Sequence, residues 1–201
     1  MNKIIKMSML AALTMSSASV FAATGDAVTG GQGSVTIDGT VQTNTCAVSV
    51  DKQALNVKVL KADIDKALVG ADIAATGELV STFSLTNCSG QAMKVQITPT
   101  SGSAITTQPG LWSIPDVNIL AFKLGSTPSA PVGAKWQSLA TGLDWTAAVS
   151  FTGSQAGGMR LLPTADTATF PVTLQMGKSG AGTYSGPSTF STGYTYNLTY
   201  L

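Results

Sequence analysis

Apolar and polar residues alternate with a period of two along most of the chain, and clusters of Gly, Ser and Pro separate the alternating runs. Successive side chains of a β-strand point to opposite faces, so this pattern predicts strands that are buried on one face. Only residues 62–69 hint at a helical turn. The predicted strands are 34–50 with one break, 55–60, 78–87, 92–98, 117–124, 146–151, 169–176 and 194–201, and the predicted loops are 101–110, 125–133, 153–158 and 177–186. The pattern therefore predicts an all-β fold, an immunoglobulin-like β-sandwich of about seven or eight short strands.

The first alternating run changes phase along its length. Val35 and Ile37 share one parity, whereas Cys46 and Val48 share the other, so a break or bulge separates two strands. Glycines in the first strand lack side chains and allow another backbone to approach closely. Extending the first parity towards the N-terminus gives one strand face made of Thr29, Gly31, Gly33, Val35 and Ile37.

The last run is the most regular in the chain. Tyr194, Tyr196, Leu198 and Tyr200 alternate with polar residues up to the second-last position of the sequence. A strand of this kind is a template for pairing with another chain unless something covers it. We therefore expect the last strand to be covered by a partner strand.

Composition and charge narrow the range of functions. Asp, Glu, Lys and Arg make up 10% of the residues and the net charge is +1, so there is no basic stripe that would predict nucleic-acid binding. The sequence contains no His, which excludes the usual Ser–His–Asp triads and His-ligated metals. Asp63, Asp65 and Asp72 lie near Lys61 and Lys66, and this mixture predicts ion pairs rather than a cation site. We predict no catalytic residue, no metal and no cofactor.

The N-terminus has the pattern of a signal for export. Lys3 and Lys6 precede a run of apolar and small residues, and the small side chains before position 23 predict cleavage after Ala22. Export places Cys46 and Cys88 in an oxidising compartment, where an even count predicts a disulfide. Closing a loop of roughly 43 residues stabilises a fold by about 4 kcal/mol in the chain-entropy account.

Three segments together resemble a known family. They are GQGSVTIDGTVQTNTC at residues 31–46, STFSLTNC at residues 81–88, and the C-terminal alternation with its penultimate Tyr200. In this order, behind a signal for export, they resemble the structural pilins of chaperone–usher fimbriae, of the type 1 and P-like kind, from Gram-negative bacteria. The resemblance covers both ends and the first third of the exported chain.

The resemblance implies a domain plan and a set of partners. Residues 1–22 would be the signal peptide, 23–38 a donor-strand extension, and 39–201 an immunoglobulin-like pilin domain that lacks its final strand. The donor residues would fill the groove of a neighbouring subunit, which is a strand-addition mode of binding. A periplasmic chaperone would pair beside the last strand before an outer-membrane usher exchanges the strands. The donor residues are Thr29, Gly31, Gly33, Val35 and Ile37, and the chaperone-paired residues are Tyr194, Tyr196, Leu198 and Tyr200.

The implied function is that of a structural subunit that polymerises by donor-strand complementation into a surface fimbrium supporting adhesion, and the main shaft subunit is the leading interpretation. The alternative is a minor adaptor or a tip-associated pilin that binds sugar. Trp112, Trp136 and Trp145 are the candidate stacking faces for a sugar, although we expect these rings to pack in the core or at its edge. A donor-like segment ahead of the pilin domain favours a shaft or adaptor subunit.

Overall fold

The computed structural model describes residues 46–201 in full and the backbone of Ala27–Gly33. The predicted signal peptide and the predicted donor residues Val35 and Ile37 lie outside the described residues.

The described residues form fourteen strands and one short helix, α1 (Lys61–Lys66). In chain order the first seven strands are β1 (Ala27–Gly33), β2 (Ala47–Val50), β3 (Val57–Val59), β4 (Asp72–Ile73), β5 (Ala75–Gly77), β6 (Val80–Thr86) and β7 (Met93–Pro99). The others are β8 (Trp112–Ser113), β9 (Leu120–Ser126), β10 (Ala134–Gln137), β11 (Val149–Ser150), β12 (Met159–Pro163), β13 (Thr167–Lys178) and β14 (Tyr194–Tyr200).

Most of these strands follow one path of hydrogen-bonded neighbours. The order is β10-β12-β7-β14-β1-β2-β6-β13-β9-β11, with β4 beside β13 and β8 beside β9, while β3 and β5 form a separate ribbon. Among the described strands, every ladder is antiparallel except the one between β1 and β2. The fold is all-β, and its arrangement is compatible with a β-sandwich.

Strand β13 is the longest and lies in the middle of one half of this path. It pairs with β6 from Thr167 to Thr173 and with β9 from Thr173 to Lys178, each in unbroken register. Its alternate residues are buried, as a strand with one face on a core requires. This continuous pairing makes β6, β13 and β9 the best-specified part of the fold.

Aromatic side chains join the two halves of the strand path. Phe83 on β6 stacks on Phe170 of β13 at 4.8 Å between ring centroids, and Tyr196 of β14 meets Phe83 edge-on at 5.0 Å. Trp136 of β10 meets both Phe170 and Phe151 edge-on. Such pairs stabilise a core beyond the area that they bury. Trp136 is only 1% exposed, which confirms its predicted place in the core.

The predicted disulfide between Cys46 and Cys88 is present. It ties the residue that precedes β2 to the turn that follows β6, and both cysteines are fully buried. The bond therefore fixes the start of β2 to the central sheet.

The structure corrects two parts of the predicted strand pattern. The strands β4, β5, β8, β10 and β12 were not predicted, because strands of two to five residues are too short to display alternation clearly. Strands β9 and β13 also continue into segments that were predicted as loops. A Cβ on Gly125 would lie 2.6 Å from the Val149 carbonyl, and one on Gly177 would lie 2.5 Å from Leu111. These glycines therefore serve close packing within strands rather than turns.

Candidate functional site

The candidate site is the space between β14 and β2, which we call the strand slot. These two strands do not pair with each other among the described residues, and β1 lies between them. Strand β1 runs antiparallel to β14 and parallel to β2. In this structure, the N-terminal segment of the chain thus occupies the slot of the same chain.

The register of β1 in the slot changes along its length. Gly33 is paired with Tyr196 and Gln32 with Asn197, but Ala27 is paired with Thr199, so the register shifts between Ala27 and Gln32. Three of the predicted donor residues, Thr29, Gly31 and Gly33, belong to β1, and Thr29 is paired with Ala47 of β2. The other two predicted donor residues lie outside the described part of the chain.

The wall formed by β14 presents an apolar face to the core. Tyr196, Leu198 and Tyr200 are buried and Tyr194 is half-buried. On its other edge, β14 pairs with β7 along its whole length, from Tyr194 opposite Pro99 to Tyr200 opposite Met93. The four residues predicted for last-strand pairing therefore lie on one strand whose second edge faces β1.

Burial favours the neutral form of two tyrosines of β14, Tyr194 and Tyr196. Desolvation by burial raises the pKa of Tyr194 and also that of Tyr196 above the ordinary value for tyrosine. Among the residues that the structure describes, the Tyr196 hydroxyl has no hydrogen-bond partner. Tyr194 and Tyr196 are therefore uncharged up to alkaline pH, and the apolar face that they form suits an apolar or small-residue strand.

A hydrogen bond crosses one end of the slot. The backbone N–H of Cys46 donates to the hydroxyl oxygen of Tyr200 at 3.0 Å, and both residues are buried. Cys46 immediately precedes β2, whereas Tyr200 is the last residue of β14. We call this end of the slot its foot. The Tyr200 side chain of the β14 wall closes the foot by contacting the backbone at the start of the β2 wall.

An apolar cavity of about 630 Å³ lies at the opposite end of the slot. It borders Thr192, Gly193 and Tyr194, which lead into β14, and its floor includes residues from β9 and β13. The apolar side chains that line it include Leu55, Val57, Phe122, Leu174, Met176 and Phe190. The cavity therefore continues the line of the slot beyond the residue of β14 that is paired with Gly33.

One of the predicted ion pairs is found among the described residues, between Asp65 and Lys61. Asp65 accepts a hydrogen bond from Lys61 at 2.5 Å and another from the backbone N–H of Tyr184 at 2.6 Å. Asp72 pairs with Lys123. The contact with Lys61, followed by that with Tyr184, lowers the pKa of Asp65. These carboxylates stabilise the surface around α1, and the described residues contain no cluster of three groups suited to a metal.

The tryptophans differ in the surface that they offer. Trp136 is buried and presents no free face. Trp112 is half-buried, and its indole N–H donates to the Ser101 carbonyl at 2.9 Å. Trp145 is also half-buried and packs against the core. The described part of the chain thus uses all three rings in packing.

Compared with protein-family models, with curated proteins and with solved structures, the chain matches none. Within the ranges that the structure describes, no helix has the length and apolar character needed to cross a bilayer.

Two features of the site had no signal in the sequence. One is the Tyr200–Cys46 hydrogen bond, which joins residues 154 positions apart. The other is the cavity beside Tyr194, whose lining comes from separate parts of the chain. Alternation identifies the inward-facing residues of β14, but it does not identify the groups that they meet.

Proposed function

We propose that the chain is a structural subunit of a chaperone–usher fimbria and that it polymerises by donor-strand complementation. The observation that carries this proposal is the position of β1, a strand from the N-terminal segment, between two walls that do not pair with each other. Strand β1 pairs with β14 at Ala27, Gln32 and Gly33 and with β2 at Thr29, and main-chain pairing of this kind supplies the affinity in strand-addition complexes. The same segment of a neighbouring copy has the sequence needed to take its place.

A swap of β1 between copies would generate a fibre. Each subunit would donate at its N-terminal segment and accept at its slot, so the contact would be heterologous and would not close on itself. The pilin domain, residues 39–201, would then be an immunoglobulin-like sandwich completed by the strand of another subunit. Its role is assembly rather than catalysis.

We extrapolate the register of β1 to a donor strand from a neighbouring subunit. Continuing the Gly33–Tyr196 register in extended conformation would bring Val35 opposite Tyr194 and Ile37 opposite Thr192. Both of these β14-side residues line the cavity at the end of the slot. Two apolar donor side chains of a neighbouring subunit would therefore fill the apolar space that lies beyond Gly33.

The length of the connection favours a donor from another subunit. Within one chain, residues 34–46 must lead from the end of β1 to the start of β2, and these strands are parallel. A parallel connection takes about a dozen residues to return along the strand. Few residues remain to continue straight into the cavity. A donor from a neighbouring subunit has no such return to make.

The proposed partners follow from the same slot. A periplasmic chaperone would cover β14 until the donor strand arrives, because an uncovered strand edge invites uncontrolled pairing. An outer-membrane usher would then direct the exchange, and the fibre would stand on the cell surface and support adhesion. The packed tryptophans give no observation in favour of a sugar-binding tip subunit, so we propose the shaft subunit.

The test compares two adjacent substitutions in the donor segment. The chain is expressed in a Gram-negative host with a fimbrial chaperone and usher, and sheared surface material is run unheated in SDS gels. Val35→Asp places a charge on the inward face, so we expect a soluble chaperone complex but no SDS-resistant ladder. Thr36→Asp, one residue further, places the same charge on the outer face and should leave the ladder intact. A normal ladder from the Val35→Asp chain contradicts the proposal.

A further inference from the structure

The foot of the strand slot contains the one direct hydrogen bond, among the described residues, between the two walls of the slot. Cys46 N–H donates to the Tyr200 hydroxyl, and 154 residues of sequence separate the two. In the pairing of the described strands, the two walls are linked through β1. Strands β14 and β2 lie two places apart on the path of paired strands, and the buried Tyr200 side chain spans from one to the residue that precedes the other. The foot is therefore held by a group that belongs to the walls themselves.

Both partners in this hydrogen bond are fixed from outside the slot. Tyr200 is paired with Met93 of β7, and the next residue, Leu201, donates its N–H to the Ala92 carbonyl at 3.0 Å. Cys46 is joined covalently to Cys88, at the end of the central sheet. The hydroxyl thus connects two positions that do not depend on β1.

We propose that Tyr200 is a positioning residue of the strand slot, whose hydroxyl holds β14 and the start of β2 at a two-strand separation while the slot changes its occupant. This inference rests on the proposed function, because only a slot that exchanges strands needs walls that stay apart when a strand leaves. Tyr200 acts through the Cys46 amide, and the strand that occupies the slot pairs with walls that this bond keeps at their spacing.

The chain contains a matched control for the hydroxyl. Tyr196 lies on the same strand and the same buried face, but within the described part of the chain its hydroxyl has no hydrogen-bond partner. Tyr196→Phe therefore removes a buried hydroxyl without removing a hydrogen bond. Tyr200→Phe keeps the ring and removes the bond to Cys46.

The experiment measures amide hydrogen exchange in the full exported chain by NMR. For Tyr200→Phe, we expect the amides of Cys46 and of β1 to exchange about fivefold to tenfold faster, as the loss of one hydrogen bond predicts. The amides of β6 and β13 should keep the protection of the parent chain. Tyr196→Phe should leave the exchange of β1 unchanged. Three results for Tyr200→Phe would overturn the positioning role. They are amide exchange that is unchanged, amide exchange that is accelerated equally in β1 and β13, and a chain that does not fold.

A second arm separates this inference from the proposed function. A fluorescent peptide of residues 27–38 is added in excess to the parent chain and to each variant. We expect slow uptake by the parent chain and by Tyr196→Phe, and uptake several times faster by Tyr200→Phe, because β1 leaves its loosened slot sooner. If no chain takes up the peptide, the proposed function is contradicted. Faster hydrogen exchange confined to Cys46 and β1 in Tyr200→Phe would in that case still show that the Tyr200–Cys46 bond holds the slot. Equal uptake rates in all three chains overturn the positioning role alone.

Discussion

Strands β13 and β1 both lie between two neighbours, yet the chain specifies them very differently. Strand β13 is 12 residues long and keeps unbroken register with β6 and β9 while it buries alternate side chains. Strand β1 has 7 residues, three of them glycine, and its register against β14 shifts within the strand. Side-chain burial specifies register strongly, and glycine-rich strands specify it weakly.

This difference shows how one fold can contain a permanent strand and an exchangeable one. A strand that buries large side chains cannot leave without exposing the core, whereas a strand rich in glycine contributes chiefly through main-chain hydrogen bonds. Such bonds are available to any strand with a similar backbone, including the same segment of another copy. The contrast predicts that changes in the β6–β13 region affect the whole fold and that changes at β14 affect the slot first.

The largest effect is expected where the two halves of the core meet. Phe83 is fully buried against Phe170 and Tyr196, so Phe83→Ala should lower the free energy of unfolding by about 3–5 kcal/mol. Urea unfolding measures this change. Leu143→Ala, at a side chain that is 71% exposed, is the control and should change stability by less than about 0.5 kcal/mol. If Phe83→Ala destabilised β1 and left the rest of the fold as stable as before, the contrast between the two regions would be contradicted.

A smaller loss of folding stability is expected at alkaline pH, and it should begin at the strand slot. The raised pKa of Tyr194 and of Tyr196 in the folded chain means that the unfolded chain loses these protons first. The stability that they contribute is complete below about pH 10 and is lost as the pH rises above that value. Unfolding experiments at a series of pH values should show this loss, and Tyr196→Phe should reduce it. An alkaline limb that is identical in the two chains would contradict the assignment to these buried hydroxyls.

The smallest change in folding stability is expected outside both regions, at α1. The lowered pKa of Asp65 means that its contribution is present above the ordinary aspartate value of 3.8 and is lost as the pH falls through the lowered pKa. Asp65→Asn should therefore flatten the acid limb of stability slightly. Asp63→Asn, on the same helix, is the matched control, because the Asp63 carboxylate makes no hydrogen bond or ion pair in the described part of the chain. If Asp63→Asn altered the acid dependence of stability more than Asp65→Asn does, the role given to the Asp65 contacts would be contradicted.

The sequence was sufficient to predict the long strands but not the short ones. Strands β6, β7, β9, β13 and β14 each have seven or more residues, so burial on one face leaves a clear alternation. Strands of two to five residues are formed by pairing with longer neighbours, and pairing between distant residues leaves no local pattern. The disulfide was predictable because cysteine chemistry in an oxidising compartment leaves few alternatives for two cysteines.

The candidate site was predictable on one side only. The alternation of β14 identified Tyr196, Leu198 and Tyr200 as inward-facing, and all three are buried. The neighbours of β14 were not predictable, because parity determines the face of a residue and not the strand beside it. The bond from Cys46 to Tyr200 depends on the three-dimensional separation of the two walls, which no spacing along the chain expresses.

The most direct test of the central claim is electron cryo-microscopy of fibres sheared from cells that express the chain with a fimbrial chaperone and usher. The account predicts that the strand between β14 and β2 of each subunit connects to the pilin domain of a neighbouring subunit, with Val35 and Ile37 in the cavity beside Tyr194. Cells without fibres, or fibres in which each slot holds the β1 strand of the same chain, would contradict it.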